Sequence, residues 1–325
     1  MNKLLKILLA CILVISLTGC QSQMTRPKVV IYSSSENYRN EYLQKRLDEQ
    51  FPQYDIFIQY ISTGNSAARL KSEGKKIEAD IILELETTYL EQLKDMLVTL
   101  DDYDFSRYLD ELVPSHKKYA PWYRISGAII VNREVLKSKG LAVPNCYEDL
   151  LKPEYKNLIS MPSPKASSTG YMFLKNIVNV MGETQAFKYF DELSKNILQF
   201  TSSGSGPVKA LLQKEAGIGL GITYQAVNEI NHGVNLDILF FKEGAPYTTA
   251  GFAMVEGHQD KEGVKEVFDY LYNTLIYEDK EKFAPEQIFK GQVNHVENYP
   301  KNINYADMSN NTESERLRLL RKWEY

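Results

Sequence analysis

The sequence predicts an α/β protein of two lobes, and three observations lead to it. Apolar runs of strand length, such as 29–31, 56–58 and 81–83, are separated by amphipathic stretches of helix length. An aromatic, proline-marked segment, 119–124, precedes a second set of such units. A segment bearing Gly244 and Pro246 ends that set, so the chain is expected to leave one lobe and return to it. Its 325 residues suffice for one large or two medium lobes.

The chain opens with Lys3 and Lys6, an apolar run over 7–17, and Leu17-Thr18-Gly19-Cys20. A charged start, a short apolar stretch and small residues at the cut describe a secretory signal, too short to span a bilayer as a mature helix. Residues 1–19 are therefore expected to be removed. Leu-Thr-Gly-Cys resembles the bacterial lipobox, which implies cleavage before Cys20, lipid on Cys20, and a location on the outer face of the cell membrane. Residues 20–27 would then be a polar tether. Loss of Lys3 and Lys6 takes the formal charge from −4 to −6.

After the tether, residues 29–32 read as a buried strand and 36–51 as a helix stopped by Pro52. Residues 54–60 are β-rich, 65–73 read as a helix, and 79–83 as a third apolar strand; the alternation continues through 88–100. Ser126 to Asn132 reads as a strand that enters the second lobe. Within that lobe, strands are expected at 158–161, 218–222 and 236–241, and helices at 170–181, 184–196, 208–215 and 224–232, the last stopped by Gly233. Helices at 264–276 and 313–323 complete the chain. The expected division is 28–123 with 246–325 in lobe I and 124–245 in lobe II. Strands separated by helices imply a parallel sheet, and such sheets bind ligands beyond the carboxyl ends of their strands.

Four loops rich in hydroxyls fall at such ends. They are Ser33-Ser34-Ser35, Ser62-Thr63-Gly64-Asn65-Ser66, Ser167-Ser168-Thr169-Gly170 and Thr201-Ser202-Ser203-Gly204-Ser205-Gly206-Pro207. Singly, each is what a helix N-cap requires. Together they predict one cleft lined by O–H groups and helix starts, suited to a small oxyanion, with Ser33, Ser34, Thr63, Gly64, Asn65, Ser168, Thr169, Gly170, Ser203, Gly204 and Ser205 as ligand contacts. A phosphate monoester offers three strong acceptor oxygens to such a site. For a sugar attached to it, Trp122, Tyr123 and Tyr224 would stack, and Glu84, Glu86 or Glu243 would take hydroxyls.

Other classes are disfavoured. The acidic balance argues against nucleic acid. Beyond Cys11 and Cys20 only Cys146 remains, so no intramolecular disulfide and no cysteine metal site is expected. His116, His232, His258 and His295 are scattered without ligand spacing and read as surface or capping residues, so no metal is assigned. No Gly-x-Ser-x-Gly elbow, Walker loop or zinc motif is present, and no catalytic residue or cofactor is assigned.

The lipobox, the Tyr-Ser-Ser-Ser and Thr-Gly-Asn-Ser loops, Ser-Ser-Thr-Gly, and the run from Ser-Gly-Ser-Gly-Pro-Val-Lys-Ala to Gly-Ile-Gly-Leu-Gly-Ile-Thr-Tyr-Gln-Ala-Val together resemble the type II solute-binding proteins of ABC importers. The branch is that of ferric-iron, hexose-phosphate and phosphonate binders, and within it the hexose-phosphate sensor lipoproteins of Gram-positive bacteria. The resemblance implies a type II periplasmic-binding-protein-like fold with a hinge and an interlobe cleft. It also implies a phosphorylated sugar such as glucose 6-phosphate as ligand, and a membrane histidine kinase or an ABC permease as partner. Ferric ion or a phosphonate is the alternative, and a phosphoester hydrolase is less favoured. Iron-binding members use adjacent tyrosines, and here the matching place holds Thr223-Tyr224-Gln225, which suits a phosphate or sugar better than iron. Thr223 and Tyr224 join the expected contacts on that ground.

Overall fold

The computed structural model describes residues 26–325. The expected signal at 1–19, Cys20 and most of the tether lie outside the described residues. The first elements are β1 (Lys28–Ser33), α1 (Asn37–Gln50), β2 (Asp55–Tyr60), α2 (Thr63–Glu73), β3 (Ile81–Glu86) and α3 (Thr87–Gln92). There follow β4 (Ala120–Asn132), α4 (Arg133–Ser138), β5 (Ile159–Pro162), α5 (Ser168–Met181), α6 (Glu183–Ser194), β6 (Ile197–Thr201), α7 (Gly206–Leu212), β7 (Ile218–Ile222), α8 (Thr223–Asn231) and β8 (Leu236–Leu239). The chain closes with β9 (Tyr247–Met254), α9 (Val264–Tyr270), α10 (Ile276–Lys282) and α11 (Glu313–Lys322).

The strands run β2-β1-β3-β9-β4-β7-β5-β6, with β8 also on β4. β1 is parallel to β2 and β3, and β5 is parallel to β6 and β7, so each lobe has its own parallel core. β9 and β4 join them: β9 is antiparallel to β3 and to residues 120–126 of β4, while Gly127–Val131 of the same strand pairs with β7. The passage between lobes is thus made inside one strand of 13 residues, at Ser126 and Gly127. That junction is braced by Glu286, which accepts from the Ser126 N–H at 2.8 Å and from the hydroxyls of Ser126, Tyr299 and Tyr305 at 2.7, 2.7 and 2.9 Å. Burial pushes the Glu286 carboxyl upward, against the pull of these donors.

Each sheet face is covered by apolar packing. In the first lobe, Val29, Ile31, Ile81 and Leu83 face α1 and α9, and Val30, Tyr32 and Ile82 face α2. In the second, Ile159, Met161 and Leu220 meet Phe173, Ile177 and Phe190 of α5 and α6, while Ile130 meets Val208 and Leu211 of α7. Val and Ile on strands with helices on both faces give the continuous apolar runs seen in the sequence.

The fold departs from the sequence expectation in five places. The strands β6 and β9 are absent from the sequence expectation: β6 has only five residues, and β9 carries Gly251 in its middle. A Cβ at Gly251 would stand 2.7 Å from the Ala120 carbonyl oxygen, so glycine is required for β9 to lie beside β4. The helix expected at 264–276 continues through a π-helical stretch, Leu271–Leu275, into α10. The tail, assigned to lobe I from sequence, packs on the second lobe, where Leu319 and Trp323 enter the cluster of Phe190 and Phe173. His258 is buried, not on the surface, and contacts Asp80 at 2.9 Å.

Candidate functional site

The carboxyl ends of β1, β3, β5, β6 and β7 all open on one cleft of about 1040 Å³ between the lobes. From the first lobe it is lined by Ser34, Glu36, Tyr38, Ser62, Thr63, Gly64, Asn65, Glu84, Glu86 and Tyr89. From the second come Lys165, Ser167, Ser168, Thr169, Ser203, Gly204, Ser205 and Lys209, while Tyr123 and Ile125 of β4 form the floor with Thr248 and Thr249 of β9. All four hydroxyl-rich loops therefore reach the same space.

Their side chains are not equally free. Ser34 donates to the Ile61 carbonyl at 3.0 Å, which ties β1 to the loop before α2. Ser167 caps α5, accepting from the Thr169 N–H at 3.2 Å, and is an ordinary N-cap. Ser203 and Ser205 face one another at 3.1 Å. Gly204 lets this loop press on α5, since a Cβ there would stand 2.3 Å from Thr169 Oγ1. Ser62 starts α2 without a side-chain cap, and the space at Gly64 is open. Lys165 and Lys209 form no ion pair among the described residues, so the second-lobe wall carries two uncommitted positive charges beside its hydroxyls.

Several expected contacts are placed elsewhere. Trp122 is fully buried against Phe252, with ring centroids 5.1 Å apart, because successive strand residues face opposite ways and it points to the core. Ser33 is buried and donates to Asn40 at 2.7 Å. Gly170, in the first turn of α5, presses on the end of β5, where a Cβ would stand 2.3 Å from the Pro162 carbonyl oxygen. Thr223 is buried and bonded to Ser126 at 2.7 Å, and Tyr224 donates to Glu36 at 2.6 Å, spanning the two lobes behind the cleft. Glu243 does not line the cleft.

Glu84 lines the cleft but is spoken for. It sits at a register shift in β3 with φ of +58°, a left-handed conformation that turns its carboxylate toward Arg39 at 2.7 Å. Arg39 is buried and also donates to Asp279 at 2.7 Å, next to Lys280. Burial pushes the Glu84 carboxyl up to about 8, opposed by Arg39, and pushes the Lys280 ammonium down to about 8, opposed by Asp279.

Sequence reasoning missed Lys165, Lys209, Glu36, Tyr38 and Arg316. Glu86 accepts from Ser168 Oγ and from Arg316 Nη1, both at 2.6 Å, and Arg316 arrives on α11 at the end of the chain. Only Tyr38 carried a signal, as an aromatic in the first turn of α1. Among the described residues, no group of three or more His, Cys, Asp or Glu side chains is placed to hold a metal, and no helix is long and apolar enough to cross a membrane.

The profile of a family described as bacterial extracellular solute-binding protein matches residues 77–311. A protein of Haemophilus influenzae, described only as uncharacterized, is 26% identical over 278 residues, covering 83% of this chain and 80% of its own. Among solved structures, the periplasmic binding protein AfuA of Actinobacillus pleuropneumoniae, with exogenous fructose-6-phosphate bound, is similar with a TM-score of 0.78 at 23% identity, over 91% of this chain and 97% of its own. The apo ferric ion-binding protein A of Pasteurella haemolytica gives 0.73 at 16%, over 91% and 98%. A structure described as a two-component system protein mediating signal transduction gives 0.76 at 17%, over 90% and 99%. These likenesses give the fold: two lobes of the type II periplasmic binding proteins with the cleft between them.

Proposed function

Because the chain belongs to the bacterial extracellular solute-binding proteins, we propose that its cleft captures a phosphorylated sugar, glucose 6-phosphate or a close relative, by closure of the lobes. The observation that carries this reading is the convergence of the four Ser/Thr loops on one cleft, with two lysines that form no ion pair among the described residues on its second-lobe wall. Hydroxyls and lysines supply the donors a phosphate takes, while Tyr38, Tyr123 and Glu36 supply the aromatic face and acceptors a sugar takes. Closure would bend β4 at Ser126 and Gly127, with 28–123 moving against 124–245. A closed surface would then be read by a membrane histidine kinase or an ABC permease, and the likeness to a two-component protein favours the kinase. We read the protein as a binder and not an enzyme; release of phosphate from a phosphoester by the soluble domain would overturn that.

Ferric ion fits the residues poorly. Tyr224 stands between Thr223 and Gln225, not beside a second tyrosine, and its buried hydroxyl is held by Glu36 at 2.6 Å.

The test is a thermal-shift and calorimetric screen of residues 21–325 with glucose 6-phosphate, glucose, inorganic phosphate, 2-aminoethylphosphonate and ferric citrate. Glucose 6-phosphate is expected to raise the midpoint by several degrees at about a hundredfold excess over its Kd, and glucose to leave it unchanged. Ser203→Ala, Ser205→Ala and Thr169→Ala should each weaken binding by about 1–3 kcal/mol. Equal affinity in all three, or a shift with ferric citrate alone, would reject the phosphosugar reading.

The proposed address is the outer face of the cell membrane, through lipid on Cys20. Protein extracted from membranes should have the intact mass of a chain starting at a diacylated Cys20. A mass matching the uncleaved chain would contradict it.

A further inference from the structure

We propose that Arg316 is the cation that receives the ligand's phosphoryl group, and that the Glu86 carboxylate holds that position until an anionic ligand displaces it. This deepens the phosphate-ester reading and rests on it. Arg316 lies on α11 and borders the cleft while nearly all of its surface is buried. Its guanidinium carbon stands 4.5 Å from the centre of the Tyr171 ring and 5.3 Å from that of Tyr89, so the plane of the cation is fixed between two aromatic faces.

Three polar groups then close a triangle. Arg316 Nη1 donates to Glu86 Oε2 at 2.6 Å, Ser168 Oγ donates to the same oxygen at 2.6 Å, and Arg316 Nη2 donates to Ser168 Oγ at 3.3 Å. One anionic oxygen held by a guanidinium and a serine hydroxyl is the arrangement that a phosphate oxygen takes. Arg316 Nε is buried and has no partner among the described residues, so the guanidinium keeps a donor that neither Glu86 nor Ser168 uses. A phosphate monoester, with three oxygens and nearly two charges, can fill what Glu86 leaves open.

The exchange has a chemical consequence. Glu86 ends β3 of the first lobe, whereas Ser168 and Arg316 stand on helices packed with the second. Replacing Glu86 by a ligand anion converts a bond between lobes within the chain into one that runs through the ligand. Neutral sugars cannot make that replacement, because they bring no charge to compensate the buried guanidinium. Selection for the phosphorylated over the free sugar would thus be set by ion exchange at Glu86. On the same wall Lys165 and Lys209 stand with Arg316, while Glu36, Glu41 and Glu84 line the cleft from the first lobe beside Glu86.

Glu86→Gln and Arg316→Gln decide the matter, with glucose 6-phosphate and inorganic phosphate as probes measured by calorimetry. Gln at 86 keeps the shape and an acceptor but removes the competing charge, so both probes should bind about tenfold tighter than to the wild type. Arg316→Gln should bind about tenfold weaker or worse. If Arg316→Gln does not fold, Arg316→Lys keeps the charge without the fork and should still lose affinity while remaining folded at the assay temperature. Unchanged or weaker binding by Glu86→Gln, with the wild type binding normally, overturns the exchange while leaving the phosphate reading standing. Failure of the wild type and both variants to bind either probe overturns both.

Discussion

Tyr123 and Ile125 face the cleft, while Ala120 and Trp122, just before them on β4, are sealed in the first-lobe core. Alternation along a strand makes neighbours do unrelated work. Trp122→Ala should therefore cost about 3–5 kcal/mol of stability, read from urea midpoints, and leave the ligand Kd unchanged once folded. Tyr123→Ala should do the opposite to the Kd. A large loss of affinity in folded Trp122→Ala would mean that the tryptophan reaches the ligand. The sequence shows that residues 119–124 are aromatic and lie at a crossing, but period two has two phases and nothing local selects between them. The hydroxyl loops were legible for the opposite reason. Their chemistry belongs to helix starts, which short-range rules describe.

At the level of elements, α1, β3 and α10 are tied by Arg39, Glu84, Asp279 and Lys280 just beneath the cleft. Glu84 has its folded pKa raised from 4.5 to about 8, so between those values the folded state holds a proton that the unfolded state has lost. Stability from this group falls as pH rises through that window. Lys280 has its folded pKa lowered from 10.5 to about 8, so between about 8 and 10.5 the unfolded state holds the extra proton, and stability rises with pH. Denaturation midpoints should accordingly show a shallow minimum near pH 8. Glu84→Gln should flatten the falling limb and Lys280→Met the rising one; identical profiles in wild type and both variants would contradict the assignment. The network was not legible as a network: Arg39 and Asp279 are 240 positions apart, and Glu84, read from sequence as a group for sugar hydroxyls, gave no sign of its ion pair. Arg316 escaped for the same reason: its segment reads as a solvated helix until Leu319 and Trp323 are seen to plug the second lobe. Helix and strand identities were largely legible, and β9 was not, because Ala250-Gly251 breaks its β-favouring run and what holds the strand is partners on both edges, distant in sequence.

Across the whole molecule, the binding cleft, the hinge and the two cores depend on one late strand. β9 lies between β3 and β4, and β3 pairs with no strand of the second half except through it. The placement has a bearing on how the chain assembles. While the chain is being made, strands β1 to β3 emerge with an open edge that has no mate until residues 247–254 appear. The second lobe is different, since β4 to β8 are contiguous in the chain and can pair as they arrive. Long-range pairing of this kind is slow and leaves apolar edges uncovered meanwhile. The sheet of the middle of the chain is thus built to pair first, and the strands of the beginning keep an unpaired edge until residues 247–254 reach them.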